Sequence, residues 1–331
     1  MTFRDVKKFV KGLVSKSASV NEIFDHLVQP ASAGKNIDRV LKQYQHPGSD
    51  QRHYRVYLPK NYMAGKPLPV VMVLHGCHQT HHDIQQIAGF DALADKNNFI
   101  LIYPYVTRYD DMRMQNCWGW WRPEHIGAGS GEVEDLWHVV EEVASDFSVD
   151  LARVHLAGLS SGGAMAVAAQ TVHAGYFASC AVIAGVSYGE RAGAVIMPIK
   201  SLRNYRPIER TVKLMEKARK KDRTPAPLFI AHSYHDRAVD IQASKNLRDS
   251  WLAYFGYDKT AMNKRERHHT RGVPWVHTQY GQAMGGSIVE TVFLEGGGHG
   301  WFGGAPGAYS FPGGPPLSNL MWQFFKSHPL N

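Results

Sequence analysis

The chain has 331 residues, of which 44% are apolar and 20% charged, with a formal net charge of +8. That composition suits a globular protein of one large or two smaller domains and excludes a disordered chain. No apolar run approaches the ~20 residues of a membrane helix, and the three cysteines, Cys77, Cys117 and Cys180, lack the C-x-x-C spacing of zinc or thioredoxin-like sites.

Residues 1–50 read as a leader, with short helices expected at 3–13 and 20–27 and a linker at Ala31-Ser32-Ala33-Gly34. The first 16 residues mix charges with short apolar runs, so no secretory segment is expected there. The chain as written therefore points to the cytoplasm, unless it is a mature form or leaves by another route. A single catalytic-type domain is expected over 51–331.

Residues 52–58 alternate and are rich in tyrosine and valine, which predicts a strand. Val70-Val71-Met72-Val73-Leu74 predicts a strand buried on both faces, ending at His75-Gly76-Cys77. A helix is expected over 83–96, a strand over 99–103 and a helix over 133–147. The run 153–157 predicts a strand that leads into Gly158-Leu159-Ser160-Ser161-Gly162-Gly163 and a small-residue helix. Strands follow at 178–184, 227–231 and 287–294, with helices at 240–255 and 317–325. Two polar, basic stretches, about 186–225 and 257–275, read as insertions, the first as a partial lid. Much of the positive charge falls in them, notably in Lys264-Arg265-Glu266-Arg267. No nucleic-acid motif accompanies it, so a solvated basic surface is favoured and no nucleic-acid partner is expected. Alternating strands and helices predict an α/β fold with a mainly parallel, doubly wound sheet and helices on both faces.

The chemistry starts at Ser160. Strand, tight turn and helix around G-x-S-x-G describe a nucleophile elbow, which lifts the serine hydroxyl above the sheet. Ser161 is the poorer nucleophile, because Leu159 rather than glycine stands two positions before it. Its backbone N–H, however, is aimed where an oxyanion would form. A serine hydroxyl needs a positioned base, and in this arrangement acid and then histidine follow it along the chain. Asp236, in the loop after the 227–231 strand, is the acid; its rival Asp240 is better read as the cap of the next helix. His299, in Gly296-Gly297-Gly298-His299-Gly300-Trp301, is the one histidine of 18 with the right chain order, strand-end position and glycine-flanked loop. The backbone N–H of Cys77, in the loop after His75-Gly76, is the second oxyanion donor. His75 itself reads as structural. No metal or other cofactor is called for by such a set.

Leu74-His75-Gly76-Cys77-His78-Gln79, Asn116-Cys117-Trp118-Gly119-Trp120-Trp121, Gly158-Leu159-Ser160-Ser161-Gly162-Gly163-Ala164-Met165 and Gly298-His299-Gly300-Trp301 occur in this order. Together they resemble the polyhydroxybutyrate depolymerase-type esterases, relatives of feruloyl and acetylxylan esterases with the α/β-hydrolase fold. The resemblance covers about residues 50–328. It implies ester hydrolysis, with hydroxyalkanoate polyesters or oligomers as substrates, and the same roles for Ser160, Asp236 and His299. The family usually has alanine where Ser161 stands and glycine where Ser233 stands. Neither a polymer-binding domain nor a secretory segment is expected, which favours short, soluble or intracellular esters. Cys77 and Cys117 fall in two family loops beside the active site; a disulfide and two free thiols both stay open. Cys180 reads as a core residue. Trp118, Trp120, Trp121 and Trp301 are candidates for an apolar wall around the substrate, or else pack their loops, with the wall favoured for Trp301 beside the base. A carbohydrate esterase, and a non-catalytic hydrolase-fold protein that binds through its basic stretches, are the alternatives. Oligomeric state is left open.

Overall fold

The computed structural model describes residues 32–42, 45–49, 51–106, 115–196, 203–220, 222–283 and 286–330. The helices expected at 3–13 and 20–27 lie outside them. The centre of the fold is a ten-stranded sheet in the order β1-β2-β4-β3-β5-β6-β7-β10-β9-β8. Its middle is parallel: β4 (Ile100–Pro104), β3 (Leu68–Leu74), β5 (Val149–Leu159), β6 (Ser179–Ile183), β7 (Leu228–Ser233) and β10 (Val289–Leu294). Apart from the exposed start of β5, these strands are buried along their length, as continuous apolar runs demand when helices cover both faces.

Both flanks are antiparallel. On one side β2 (His53–Leu58) pairs β4, and β1 (Lys35–Val40) pairs β2. The sheet thus begins inside the stretch expected to be a leader. β1 has one face exposed and carries charge, so it shows no apolar run to betray it. On the other side β9 (Val273–Tyr280) pairs β10, and β8 (Met262–Thr270) closes the sheet. The stretch 257–275 is therefore a sheet extension, and its basic residues decorate an exposed edge strand, a common guard against edge pairing.

The single helix expected over 83–96 is two, α1 (His81–Ala88) and α2 (Phe90–Asn97). Gly89 between them takes a left-handed conformation (φ 64°) that ends one helix and starts the other. α3 (Pro123–Ile126) and α4 (Gly131–Asp146) follow. Next come α5 (Ser161–Val172), α6 (Ala192–Ile196), α7 (Ile208–Ala218), α8 (Ile241–Tyr254) and α9 (Leu317–Ser327). α6 and α7 fall in the 186–225 stretch, of which 197–202 and 221 lie outside the described residues. A small parallel pair, β11 (Trp301–Phe302) and β12 (Ser310–Phe311), lies after β10. Among the described residues no helix is long and apolar enough to cross a membrane.

The stretch 118–119 and the start of α4 are tied together by buried charge. Arg52, 1% exposed, donates from Nε to Asp135 (2.8 Å) and lies 3.6 Å from Glu132. Glu132 in turn accepts the N–H of Gly119 at 2.6 Å, next to Trp120. The Arg52 guanidinium also stands over the Trp118 ring. Removing Arg52 takes its guanidinium from two buried carboxylates. Arg52→Met is expected to lower unfolding free energy by about 3–5 kcal/mol, read by denaturant titration. A loss below about 1 kcal/mol would show that the cluster is not holding this loop.

Candidate active site

Four strand ends meet above the sheet, and each carries one part of the site. The elbow follows β5. An added Cβ on Gly158 would lie 2.4 Å from the carbonyl oxygen of Gly162, and one on Gly162 would lie 2.4 Å from those of Leu74 and His75. Only glycine lets α5 start this close to β3. Ser160 between them sits at φ 57°, ψ −118°, a strained conformation for a residue with a side chain. Its N–H is held by the Ile183 carbonyl (2.8 Å), which locks the turn against β6.

β7 and β10 pair in register, Ser233 opposite Leu294, so the loops that follow leave the sheet at one level. His299 Nδ1 lies 2.7 Å from Asp236 Oδ2. An ionised carboxylate only accepts, so Nδ1 carries the proton and Nε2 is left as the basic nitrogen. Asp236 is 2% exposed, and its Oδ1 accepts the N–H groups of Ala238 and Val239, both at 2.8 Å. Burial works to raise its pKa, but hydrogen bonds from His232 and His299 outweigh that and hold the carboxyl well below the usual carboxylate range. Asp240 caps α8 by accepting from Gln242 N. Ser233, the departure noted in the aspartate loop, donates to the Gly296 carbonyl (2.8 Å) and so ties that loop to the histidine loop.

His232 was not anticipated. It is fully buried, four residues before Asp236, with Nε2 3.1 Å from Asp236 Oδ2 and Nδ1 2.7 Å from Ser244 Oγ. Its signal in the sequence was a polar histidine near the end of an otherwise apolar buried strand.

Ser160 and His299 open on one cavity of about 480 Å³, together with Cys77 and Ser161. The Cys77 loop is heavily constrained. Cys77 and Cys117 form a disulfide, His78 N–H bonds the Gln115 carbonyl (2.6 Å), and Gln79 Oε1 accepts from Gly76 N–H (2.8 Å). Thr80 then caps α1, with the Asp83 carboxylate accepting its N–H at 2.7 Å. His75 is structural: Nε2 accepts from Val106 N–H (3.1 Å), Nδ1 donates to the Gly76 carbonyl, and burial lowers its pKa to about 4, so it stays neutral. Ser161 is the first residue of α5, where backbone N–H groups have no partner within the helix and the helix dipole favours negative charge.

The rest of the lining is mostly apolar: Trp120, Trp121, Ala164, Val186, Val195 and Val239 among others. Trp120 and Trp121 meet edge to face, centroids 5.3 Å apart. Val195 comes from α6, so the 186–225 stretch contributes a wall. Trp118 is fully buried, its Nε1 donating to the His75 carbonyl (3.1 Å). Trp301 does not reach the cavity. It is fully buried, with Nε1 donating to Ser318 Oγ (3.0 Å) and its ring edge-on to Phe90. The pairing of β11 with β12 turns its side chain toward the core beneath α9. The aromatic that borders the cavity beside His299 is Tyr309 instead.

A family model described as Esterase PHB depolymerase matches residues 52–273. A poly(3-hydroxyalkanoate) depolymerase C of Paucimonas lemoignei is 29% identical over 150 residues, which is 45% of this chain and 35% of that one. A feruloyl esterase B of Thermothelomyces thermophilus is 26% identical over 248 residues, 70% of this chain and 78% of that one. The chain spans about a third to a half of the length of the first curated relatives it matches. Among solved structures, an acetyl xylan esterase from Aspergillus awamori superimposes with a TM-score of 0.67 at 18% identity, covering 89% of this chain and all of that one. The architecture is the α/β-hydrolase fold.

Proposed function

Because the chain belongs to the Esterase PHB depolymerase family, we propose that it is a serine esterase working through an acyl-enzyme, with hydroxyalkanoate oligoesters as its substrates. The observation that carries the mechanism is the pairing of His299 with a buried, ionised Asp236, on the same cavity as a serine held at a strained elbow. Ser160 Oγ attacks the ester carbonyl carbon while His299 Nε2 takes its proton. Asp236 holds the imidazole in the required tautomer and stabilises its cation. The carbonyl electrons move to oxygen, which the N–H groups of Cys77 and Ser161 receive. As the tetrahedral intermediate collapses, the C–O bond to the alcohol breaks and His299 gives that oxygen its proton. Water then attacks the acyl-enzyme by the same route, leaving free acid and Ser160. No cofactor enters any step.

The apolar walls, with Trp120 and Trp121, favour an acyl group of short aliphatic chain. A feruloyl ester is the second reading, favoured by the likeness to a feruloyl esterase that extends over most of both chains and by the paired tryptophans, which would flank a flat ring. A fluorophosphonate probe should label Ser160, located by peptide mass. A panel of 3-hydroxybutyrate trimer, methyl ferulate and acetylated xylan should show the highest kcat/KM on the trimer. Faster turnover of methyl ferulate moves the substrate to the carbohydrate-linked class, and an unlabelled protein that hydrolyses nothing points to a binding role.

A further inference from the structure

We propose that Tyr309 is a specificity-determining residue of this site, forming the wall against which the alcohol portion of the ester packs. The inference rests on the esterase reading above. Tyr309 lines the cavity with Ser160 and His299, and its ring stands edge-on to the His299 imidazole at 6.3 Å between centroids and 85° between planes. It is 40% exposed, one of few large hydrophobic side chains among the described residues that are open to this degree.

The direction follows from the proton's path. Asp236 holds His299 Nδ1, so Nε2 is the atom that protonates the leaving alcohol. The alcohol oxygen must therefore come within about 3 Å of Nε2. Whatever that oxygen carries then extends into the space beside the imidazole, which the Tyr309 ring bounds. The carbonyl oxygen turns the other way, toward Cys77 and Ser161.

The chain holds Tyr309 in place at a conformational cost. Its φ is 59°, in the left-handed region where a residue with a branched or bulky side chain is uncommon. The position is fixed from several sides. Its carbonyl accepts the Trp301 N–H at 2.8 Å, two residues from His299, and Gly303 N–H bonds the Phe311 carbonyl at 3.0 Å. Ala305 N–H reaches the Ile87 carbonyl, anchoring the loop on α1. An added Cβ on Gly300 would lie 2.3 Å from the Tyr309 carbonyl oxygen, so the histidine loop and Tyr309 approach each other as closely as backbones allow. Glycine or asparagine would be easier at this φ. A strained aromatic, rigidly tied to the base and facing a cavity, is what a fixed contact surface for substrate requires.

The test compares benzyl butyrate with methyl butyrate, which share an acyl group and differ in the alcohol. Tyr309→Ala is expected to lower the ratio of their kcat/KM values about tenfold, the size of one lost aromatic contact. Tyr309→Phe should keep that ratio within about threefold, since the ring makes the contact. The dependence on acyl length, from p-nitrophenyl acetate to hexanoate, should keep its shape in Tyr309→Ala, and so should the acid limb of its pH profile. An unchanged alcohol ratio, an equal fall in both variants, or a shifted acid limb overturns the assignment while leaving the esterase reading standing. A wild-type protein that hydrolyses none of these esters overturns both.

Discussion

Ser160→Ala is expected to lower kcat on p-nitrophenyl butyrate by about 10⁶, while the unfolding free energy stays within about 1 kcal/mol of the parent. The size follows from cooperation: without a nucleophile, the histidine has no proton to take and the aspartate no imidazolium to stabilise. What survives is binding and the oxyanion site, which alone give a residual rate above that in water. The fold should survive because the elbow is set by its neighbours. Gly158 and Gly162 permit the approach to β3, and the Ser160 N–H bond to Ile183 belongs to the backbone. Alanine at φ 57° carries a strain similar to that of serine, so the exchange adds little. A variant that keeps more than about 1% of kcat would remove Ser160 from the mechanism and return Ser161 to consideration.

The parts of the site most legible in the sequence were those that obey local rules. Ser160, Asp236 and His299 each follow a buried apolar run, and the structure puts them at the ends of β5, β7 and β10. The glycines around Ser160 were informative because the tight turn needs them at fixed spacing: a Cβ on Gly158 would meet the Gly162 backbone, and one on Gly162 would meet the carbonyls at the end of β3. His232 and Tyr309 were not legible, since each acquires its role from a partner defined by tertiary structure. His232 becomes part of the site only because Asp236 turns back over β7, and Tyr309 only because β12 pairs with β11 across the seven-residue return 303–309. The same pairing buries Trp301, which adjacency to His299 had suggested for the cavity. In a two-residue strand the alternation is too short to say which side faces the core. β1 escaped for a related reason: an edge strand with charged residues and a face in water has no buried run to announce it.

Asp236→Asn should lower kcat by about 10⁴ and also change how stability depends on pH. Asparagine presents either an oxygen or an amide group to His299. If the amide faces Nδ1, the imidazole is pushed to the tautomer whose Nε2 carries a proton and is no base. If the oxygen faces it, the tautomer is kept but the cation formed during attack loses its counter-charge. His232 adds to the effect, because it directs Nε2 at the same carboxylate oxygen as His299. Two rings that now share one anion would compete for a neutral group. The pH argument follows from the depressed pKa of Asp236. A carboxyl whose folded pKa lies below its unfolded value near 3.8 contributes stability that is fully present above that value. The contribution is lost as pH falls through the interval down to the folded pKa, where protonation breaks the bonds to both histidines. Denaturant midpoints measured from pH 7 to pH 2.5 should therefore fall less steeply below about pH 4 in Asp236→Asn than in the parent, with a constant offset at higher pH. Parallel curves over the whole range would mean that Asp236 is not ionised against these histidines, and the acid of the triad would have to be sought elsewhere.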